Sequence, residues 1–450
     1  MLWVHRGVAT SALSEDRPTS ARPDTEVPAL LLKLGSYPLH HGGLGVIRSL
    51  GRCGVPVHAV TESRTTPVAL SRYVDRRFSL ATTGMESGAD VLPDLLDIGR
   101  RIGRPSVLIP TDDEAAIAVA DLGDALAEHF LVPSLDRPDV VRELASKKGM
   151  HDLCRAHGIR TAASVFPDSL DEVLAYADSG TFPVVVKNRD AGERRRHPAV
   201  QATTIVATPE DLRELATEWH DPPNVILQEH IPAEDAEDWF AHLSIGPDDA
   251  ATVFTGLKVR SFPPRAGVTT NAFAVQHDEL TRLSADFARS VGFRGIGDLD
   301  WRWDEQAGVF KLVDFNPRVG AQFRLFEDSA GVDVVRAQHL ALTGRAVPDG
   351  TFPEHRRFVV EDLDARARLV YRGDAEAPER VGATEWAWFA ADDPLPVLPV
   401  LVGRARGAAG KVLDRARGAA RAASRRAARA VGLARGATFA RPSAGRIGSH

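Results

Sequence analysis

Two short stretches decide the fold of this chain: I-G-D-L-D-W at residues 296–301 and V-D-F-N-P-R at residues 313–318. On a strand, side chains two positions apart project from the same face, so Asp314 and Asn316 are expected to lie together. Asp300 precedes Asp314 by fourteen residues and joins them if the two stretches pair as neighbouring strands. Two carboxylates and an amide oxygen are hard ligands of the type that Mg²⁺ prefers, so the pattern predicts a metal site.

The apolar neighbours of Asp314 favour a functional interpretation. Leu312, Val313 and Phe315 indicate a buried strand, in which an unpaired carboxylate is costly. Arg318 follows at once and can meet the negative charge of a phosphoryl group or an acyl phosphate. The alternative is a solvated hairpin with ordinary surface charges. It stays open because clusters of ionisable side chains also occur as structural ion pairs, outside functional sites.

Three earlier stretches can bind a nucleotide. Lys187 ends the apolar run V-V-V-K, and Lys147 lies in a predicted helix that contains A-S-K-K-G-M. Either ammonium can contact phosphates as a point charge, and the alternatives are a lysine at a strand edge and a solvated helix face. Backbone groups from Glu229 to Ile231 can bind an adenine edge, and an acid beyond them can accept hydrogen bonds from ribose hydroxyls.

Taken in this order, the stretches resemble the ATP-grasp superfamily, and in particular its carboxylate–amine ligase branch. The resemblance covers about residues 28–347, and its most specific part is the acid followed by D-x-N-P-R. It implies ATP bound between two β-rich lobes with Mg²⁺, or with Mn²⁺ in its place. The implied residues are Lys147 and Lys187 for the phosphates, Gln228, Glu229, His230 and Ile231 for the adenine, Asp300, Asp314 and Asn316 for the metal, and Arg318 and Arg260 for catalysis. For the ribose the implied ligand is Asp235, with Glu234, Glu237 and Asp238 as alternatives.

Two segments extend or depart from the resemblance. The segment 258–270 is similar to a family stretch over the acceptor side of the cleft, which makes Arg260 a candidate for binding a carboxylate or an acyl phosphate. A surface arginine in a Pro-rich loop explains Arg260 equally well. The loop 189–200 is rich in arginine where many relatives have a glycine-rich phosphate cover, so Arg194, Arg195 and Arg196 can clamp phosphates or an anionic substrate.

The periodicity of the chain predicts alternating strands and helices. Strands are expected at 29–37, 55–60, 106–114 (ending in an acidic loop), 182–188 and 224–231, with helices at 43–54, 139–158 and 208–219. The first of these form a strand–helix–strand pattern typical of a parallel layer. The expected class is therefore α/β (α+β): an ATP-grasp fold behind an N-terminal doubly wound domain that resembles the pre-ATP-grasp domain.

The organisation along the chain follows from these patterns and from composition. The predicted segments are a flexible leader at 1–27, the pre-ATP-grasp domain at 28–135, the ATP-grasp domain at 136–347, an appended element at 348–400 and a basic Ala/Arg-rich tail at 401–450. From Arg404 onward the tail holds twelve basic residues and one acid, a net charge of +11, although the whole chain carries −6. The tail can contact an acidic partner, anionic lipid or nucleic acid, or can be a solvated extension with no ligand.

The cysteines, the length of the apolar runs and the N-terminal pattern bear on the cellular compartment of the protein. Cys53 and Cys154 form no metal-binding spacing and are interpreted as reduced thiols. We find no apolar run near the roughly 20 residues that a membrane span needs. The N-terminus does not have the pattern of a secretion signal, so a cytoplasmic location is expected.

The resemblance implies a reaction and leaves alternatives open. The implied enzyme activates a carboxylate as an acyl phosphate with ATP and transfers it to an amine, with amino acids or peptides as the default substrates. A phosphotransferase that stops at a phosphorylated product is one alternative. A biotin-dependent carboxylase is another, although the chain contains no M-K-M stretch for biotin attachment. The alternative from a different class is a non-catalytic nucleotide-binding scaffold that acts through its basic tail.

Overall fold

The three-dimensional structure is a computed structural model that describes residues 22–189, 198–200, 203–232, 236–264, 267–352, 354–370 and 381–405. One compact unit of the chain ends at Pro396, and a second begins at Val397. Most of the predicted leader, Asp235, the arginine triplet of the 189–200 loop and the tail beyond residue 405 lie outside the described residues.

The first layer is a five-stranded parallel sheet with strand order β3-β2-β1-β4-β5. Its strands are β1 Ala29–Leu32, β2 Val57–Val60, β3 Val74–Phe78, β4 Ser106–Pro110 and β5 Phe130–Leu131. Its helices are α1 His41–Arg52, α2 Pro67–Leu70, α3 Gly88–Ile102, α4 Asp113–Asp121 and α5 Gly123–Leu126. The strand order reverses direction between β1 and β4, and such a reversal opens a crevice at the carboxyl ends of these two strands. The predicted doubly wound domain is confirmed.

Two predicted limits in this domain were wrong. Helix α1 begins and ends two residues earlier than predicted. It ends early because Gly54 adopts the left-handed backbone conformation that stops a helix. The predicted acidic loop after β4 is the start of α4, where the Asp112 carboxylate accepts a hydrogen bond from Ala115 N at 3.1 Å. The same carboxylate accepts hydrogen bonds from Leu34 N and Gly35 N, so it fixes the chain after β1 beside the start of α4.

The predicted helix 139–158 is in fact two helices, α6 Asp139–Ala145 and α7 Lys147–Ala156. Ser146 between them has an extended backbone, and its hydroxyl accepts a hydrogen bond from Gly149 N, which caps the second helix. A side chain at Gly149 would collide with the Glu143 backbone, so glycine allows the two helices to pack at this corner. Lys147 is therefore the first residue of a helix rather than a residue on the face of a long one.

The second layer is a four-stranded antiparallel sheet with strand order β6-β9-β7-β8. Its strands are β6 Ser164–Val165, β7 Val184–Asn188, β8 Thr204–Val206 and β9 Val225–Glu229. Its helices are α8 Leu170–Ser179 and α9 Pro209–Ala216. The α9 helix begins after Thr208, whose hydroxyl accepts a hydrogen bond from Asp211 N, as its sequence predicts. Val184, Val186, Val225 and Leu227 are fully buried against these helices, which places the core of this lobe on one face of the sheet.

The third layer is a seven-stranded sheet with strand order β14-β13-β10-β11-β12-β15-β16. Its strands are β10 Ala236–Ile245, β11 Ala251–Phe262, β12 Val268–Ala274, β13 Gly295–Asp304, β14 Val309–Asn316, β15 Arg357–Val359 and β16 Thr384–Trp386. Its helices are α10 Asp278–Ser290, α11 Val334–Leu342 and α12 Glu361–Val370, with a 3₁₀ turn at Phe323–Leu325. Neighbouring strands pair antiparallel, except β15 and β16, which pair parallel. Because β15 and β16 lie between residues 348 and 400, the segment predicted as an appended element contributes two strands to this sheet.

Two consecutive aspartates after β16 attach the end of this unit to the first domain, and we call this contact the clasp (Arg48, Arg52, Asp392 and Asp393). Arg48 is fully buried; its Nε donates to Asp393 Oδ2 at 2.9 Å, and its Nη2 donates to two backbone carbonyls. Arg52 donates two hydrogen bonds of 2.9 Å to Asp392 nearer the surface. The clasp therefore holds α1 against the chain that leaves the seven-stranded sheet.

No helix within the described ranges is both long and apolar enough to cross a membrane.

Candidate active site

The carboxylates predicted from the sequence meet on the paired strands β13 and β14. Asp300 lies directly opposite Asp314, and Asp298 lies directly opposite Asn316 in the antiparallel register. Each of the first two carboxylates contacts a lysine from another element: Lys147 pairs with Asp314, and Lys258 Nζ donates to Asp300 at 2.6 Å. All three predicted metal ligands thus occupy one edge of the seven-stranded sheet.

The electrostatics of this edge keep Asp314 charged. Burial alone would raise the pKa of the Asp314 carboxyl, but the charges of Lys147, Lys187 and Arg318 lower it below its ordinary value. Burial would lower the pKa of Lys258, but the neighbouring acids, Asp300 first, raise it. The edge therefore alternates fixed negative and positive charges, as expected where polyanions and cations bind together.

Asp298 is a site residue that the sequence analysis missed. Its side chain is only 10% exposed, and burial together with the charge of Asp300 raises its pKa. The signal was available in the sequence: Asp298 and Asp300 are two apart on one strand, so they share a face in the same way as Asp314 and Asn316.

We call the sheet edge that carries Asp298, Asp300, Asp314 and Asn316 the carboxylate edge. Arg318 joins it to the first domain. Its guanidinium donates to Asp113 Oδ1 at 3.2 Å, to Asp298 Oδ2 at 3.4 Å and to Asn316 Oδ1 at 3.0 Å. Asp113 is the first residue of α4, at the crevice between β1 and β4. The predicted proximity of Arg318 to the carboxylate cluster is thus observed, and its contact with Asp113 is an addition that spacing along the chain does not reveal.

A fully buried histidine lies behind Asp298. His242 Nδ1 is 3.6 Å from Asp298 Oδ1, and neither ring nitrogen of His242 has a hydrogen-bond partner among the described residues. Burial and the charges of Arg318 and Lys258 lower the pKa of His242 to about 3, so the ring is neutral near pH 7. Gly320 packs directly against both side chains, since a Cβ atom there would overlap His242 and Asp298.

A small cavity lies beside the carboxylate edge, between the four-stranded sheet and α7. Its lining includes three of the residues predicted to bind the nucleotide: Lys147, Lys187 and Gln228. Lys187 Nζ donates to Gln228 Oε1 at 2.7 Å. Burial, with help from the charge of Lys147, lowers the pKa of Lys187 to about 8. Because Lys147 also contacts Asp314, this cavity and the metal-ligand candidates form one continuous site.

The segment predicted to bind the adenine, residues 228–231, lies next to this cavity. Glu229 ends β9, and its carboxylate accepts hydrogen bonds from Lys311 Nζ at 2.9 Å and from Ala163 N at 3.0 Å. Its side chain is thus engaged by the surrounding protein rather than directed at a ligand. Ile231 is buried and His230 is half-buried, while the predicted ribose ligand Asp235 lies outside the described residues.

Arg260 has a different partner from the one that the resemblance implied. It is 3% exposed, and its Nε donates to Asp364 Oδ1 of α12 at 2.8 Å. The Asp364 carboxylate also accepts a hydrogen bond from Arg368 Nε at 2.9 Å. This buried ion pair joins β11 to α12, so the structure gives Arg260 a packing role and leaves its catalytic role a prediction.

The crevice of the first domain contributes polar groups to the same region. Lys33 Nζ donates to Tyr37 O at 2.7 Å and pairs with Glu62. Burial first, and then the charge of Asp112, raises the pKa of Tyr37, so the phenol stays protonated. A second, mostly apolar cavity lies between the carboxyl end of β4 and the Arg318 segment.

The donor set fits a magnesium–nucleotide complex. In the described part of the chain, no three His, Cys, Asp or Glu side chains converge as a ready-made metal cage. Mg²⁺ in nucleotide sites is held by one or two carboxylates and completed by phosphate oxygens and water, so a full protein cage is not required. Asp300, Asp314 and Asn316 supply three oxygen donors at one sheet edge, beside a lysine-lined cavity.

Comparisons with known proteins agree with this architecture. No protein-family profile matches the sequence. The chain is 24% identical over 298 residues to a biotin carboxylase from Allochromatium vinosum, a match that covers 59% of this chain and 63% of that relative's length. The chain thus spans less than two thirds of the curated relative.

Three solved structures show the same fold. The biotin carboxylase domain of Hydrogenobacter thermophilus 2-oxoglutarate carboxylase, solved with MgADP and bicarbonate, has a TM-score of 0.55 at 13% identity and covers 73% of each chain. N5-carboxyaminoimidazole synthetase from Staphylococcus aureus has a TM-score of 0.55 at 11% identity and covers 75% of this chain and 82% of its own. The L-amino acid ligase from Bacillus licheniformis has a TM-score of 0.54 at 15% identity and covers 75% of this chain and 79% of its own. The chain therefore has the ATP-grasp fold behind a pre-ATP-grasp domain.

Proposed function

We propose that this protein is an ATP- and magnesium-dependent ligase that activates a carboxylate as an acyl phosphate and joins it to an amine. One observation carries the proposal: the Lys147–Asp314 contact connects the lysine-lined cavity to the carboxylate edge. In the proposed complex, a nucleotide in that cavity directs its phosphates at Asp300, Asp314 and Asn316. Phosphoryl transfer requires the phosphates to lie beside the metal ligands in this way.

The nucleotide side of the proposed site is built from two lysines and a glutamine. Lys147 at the start of α7 and Lys187 on β7 bring two positive charges to the same cavity, and their mutual repulsion is relieved when phosphates lie between them. In the proposed complex Lys147 exchanges Asp314 for a phosphate oxygen. Gln228, which now accepts from Lys187, stays at the cavity wall as a hydrogen-bonding group for the base.

The metal side of the proposed site is the carboxylate edge. Asp300, Asp314 and Asn316 would hold Mg²⁺, or Mn²⁺ in its place. When bound, the metal neutralises phosphate charge and orients the terminal phosphate for attack. The protein's own part is to keep Asp314 ionised, which the charges of Lys147, Lys187 and Arg318 do.

The acid side of the proposed site lies around Arg318. Its guanidinium is held in place by Asp113, Asp298 and Asn316, so it is preorganised to stabilise negative charge on an acyl phosphate. The attacking carboxylate forms a bond to the terminal phosphorus of ATP as the bond to ADP breaks. The amine then displaces inorganic phosphate from the acyl carbon. The mostly apolar cavity bordering Arg318 favours an acid with an apolar body.

The relatives are consistent with this reaction at a coarse level. Two of the solved structures are carboxylating enzymes by name, one of them solved with MgADP and bicarbonate, and the third is an amino acid ligase. Shared fold does not transfer substrate choice, so the acid and the amine must be found by assay.

The decisive experiment is a matrix of acids and amines scored for ATP-dependent phosphate release and for product mass. A ligase releases phosphate only when a matching acid and amine are both present, and its product is the sum of the two minus water. ADP formation that does not depend on an amine and releases no inorganic phosphate, together with a phosphorylated product, would establish the phosphotransferase alternative. Bicarbonate is included as one acid, so that a carboxylase outcome is recognised directly.

A further inference from the structure

Arg302 projects from the same face of β13 as the aspartates of the carboxylate edge. It follows Asp300 by two residues, and β13 pairs with β10 without a register shift, so the alternation of faces is kept along this strand. Trp301, between them, is 1% exposed and lies in the hydrophobic core on the opposite face. The sequence analysis assigned no role to Arg302.

The charge of Arg302 is only weakly compensated by the surrounding protein. Its Nε is buried and has no hydrogen-bond partner among the described residues. Its ion-pair partner, Asp238 of β10, lies at 3.7 Å from this Nε, which is beyond hydrogen-bond distance. The Asp238 side chain is 46% exposed, so water screens the attraction between the two charges. The guanidinium can therefore exchange this contact for a ligand at low cost.

The neighbours of Arg302 place it between the two ends of the proposed nucleotide site. Directly opposite it on β14 is Lys311, whose Nζ donates to Glu229 at 2.9 Å, in the segment predicted to bind the adenine. In the other direction along β13, Asp300 lies opposite Asp314, where the metal is proposed to bind. Arg302 is thus displaced by two residues, about 7 Å, from the metal-ligand candidates toward the adenine segment.

Arg302 adds a third positive charge to the two lysines of the cavity. Burial lowers the pKa of Lys187 most, and the charges of Lys147 and then Arg302 lower it further, so Arg302 acts on Lys187 across the gap between the two sheets. Lys187 donates its hydrogen bond to the neutral side chain of Gln228 rather than to an acid. An anion placed in this gap is stabilised by both cations and relieves their repulsion.

We propose that Arg302 binds the inner phosphate of the nucleotide, the one attached to the ribose, together with Lys187. The inference rests on the proposed function, because it requires a nucleotide in this site. With the terminal phosphates at the metal-ligand candidates, the phosphate nearer the adenine segment falls beside Arg302. On binding, the guanidinium exchanges its long contact with Asp238 for a phosphate oxygen.

The test is calorimetric titration of the full-length protein with ADP, AMP and adenosine in the presence of Mg²⁺. We expect Arg302→Gln to weaken the binding of ADP and AMP at least about tenfold, through loss of a charge-assisted hydrogen bond, and to leave adenosine within about twofold. Unchanged ADP affinity in Arg302→Gln would overturn the inference and leave the proposed function standing. A parent protein that does not bind ADP would instead reject the proposed function, and the inference with it.

A matched arginine at the far side of the same sheet provides the control. Arg356 precedes β15; its side chain is 20% exposed, against 21% for Arg302, and its contact with Glu385 is 3.9 Å long. Arg356→Gln should leave ADP affinity within about twofold of the parent, since it removes a similar ion pair far from the site. Equal losses in Arg302→Gln and Arg356→Gln would reject a specific role for Arg302.

The variant Arg302→Lys separates a phosphate contact from stacking on the base. Lysine keeps the positive charge that a phosphate needs but lacks the planar guanidinium that stacks on an aromatic ring. We expect Arg302→Lys to keep ADP affinity within about threefold of the parent. A loss of adenosine affinity in Arg302→Gln that Arg302→Lys does not restore would assign Arg302 to the base and contradict the inference. Thermal unfolding checks that each variant is folded.

Discussion

The carboxylate edge and the clasp use the same kinds of charge in opposite ways. At the carboxylate edge, Asp314 is paired with Lys147, and both side chains are about a quarter to a third exposed, at 26% and 31%. In the clasp, Asp393 is paired with Arg48, and both are essentially inaccessible, at 1% and 0%. An ammonium on a flexible stem can leave its partner for a ligand, whereas a guanidinium held by several hydrogen bonds cannot do so cheaply. The comparison indicates that exposure and donor number separate an exchangeable ion pair from a structural one.

The largest expected effect is the loss of turnover when the exchangeable ion pair, Lys147–Asp314, is broken. Asp314→Ala should lower ATP-dependent turnover at least about 1000-fold, roughly 4 kcal/mol of barrier, because it removes a metal ligand. The melting temperature should change by less than about 3 °C, since the released Lys147 can reach water. Steady-state phosphate release and thermal unfolding measure the two quantities.

The matched control for this prediction is Asp152→Asn. Asp152 is also paired with a lysine, Lys148, at 2.9 Å on α7, but it lies on a solvated helix face. Its loss should leave turnover within about twofold, as for surface ion pairs in general. A similar loss in both variants would mean that the exchangeable pair is no more than a surface contact.

The second prediction concerns the structural pair. Asp393→Ala should reduce the free energy of unfolding by about 3–5 kcal/mol, because it leaves the Arg48 guanidinium buried without its counter-ion. Chemical denaturation followed by fluorescence measures the change. The more exposed neighbour provides the control: Asp392→Ala breaks the Arg52 pair and should cost about 1 kcal/mol or less. Equal costs would contradict the distinction drawn between buried and exposed members of the clasp.

The third prediction tests the packing that supports the carboxylate edge. Gly320→Ala should displace Asp298 and His242, because the added methyl group overlaps both, at a cost of about 1–3 kcal/mol in stability. Turnover should fall together with stability, since Asp298 holds Arg318 in place. Gly308→Ala, at a turn with open space around the Cα atom, is the control: it should lose stability through its positive φ but should retain turnover.

The fourth and smallest prediction is a pH dependence at Lys187. The pKa of about 8 means that its ammonium is charged below that pH and loses its charge as the pH rises through it. ATP affinity should therefore fall, by about tenfold, as the pH increases from 7 to 9.5, which corresponds to about 1.4 kcal/mol of phosphate contact. Lys187→Arg keeps its charge over this range and should flatten the profile, which fluorescence titration with a nucleotide analogue can measure. An equally steep profile in the arginine variant would assign the titration to another group.

Periodicity predicted the alternation of strands and helices, and the family resemblance predicted the ATP-grasp fold and the grouping of Asp300 with Asp314 and Asn316. Two-residue periodicity, a local rule, placed Asp314 and Asn316 on one face. The same rule applied to Asp298 would have added it to the cluster. The break at Ser146 was missed because it depends on tertiary packing. The Ser146 hydroxyl caps the second helix only when α7 packs closely against α6, which Gly149 allows. The Arg318–Asp113 and Arg260–Asp364 contacts were beyond reach, since they join residues 205 and 104 positions apart and depend on how the layers pack.

The central claim is that Asp300 and Asp314 hold a divalent metal together with a nucleotide. The most direct measurement is electron paramagnetic resonance of Mn²⁺ titrated into the protein with and without ADP. The account predicts one tightly bound Mn²⁺ per chain that requires ADP, is lost in Asp300→Asn/Asp314→Asn, and is retained in the control variant Asp152→Asn/Asp248→Asn. Nucleotide-dependent Mn²⁺ binding that persists unchanged in the Asp300→Asn/Asp314→Asn variant would contradict it.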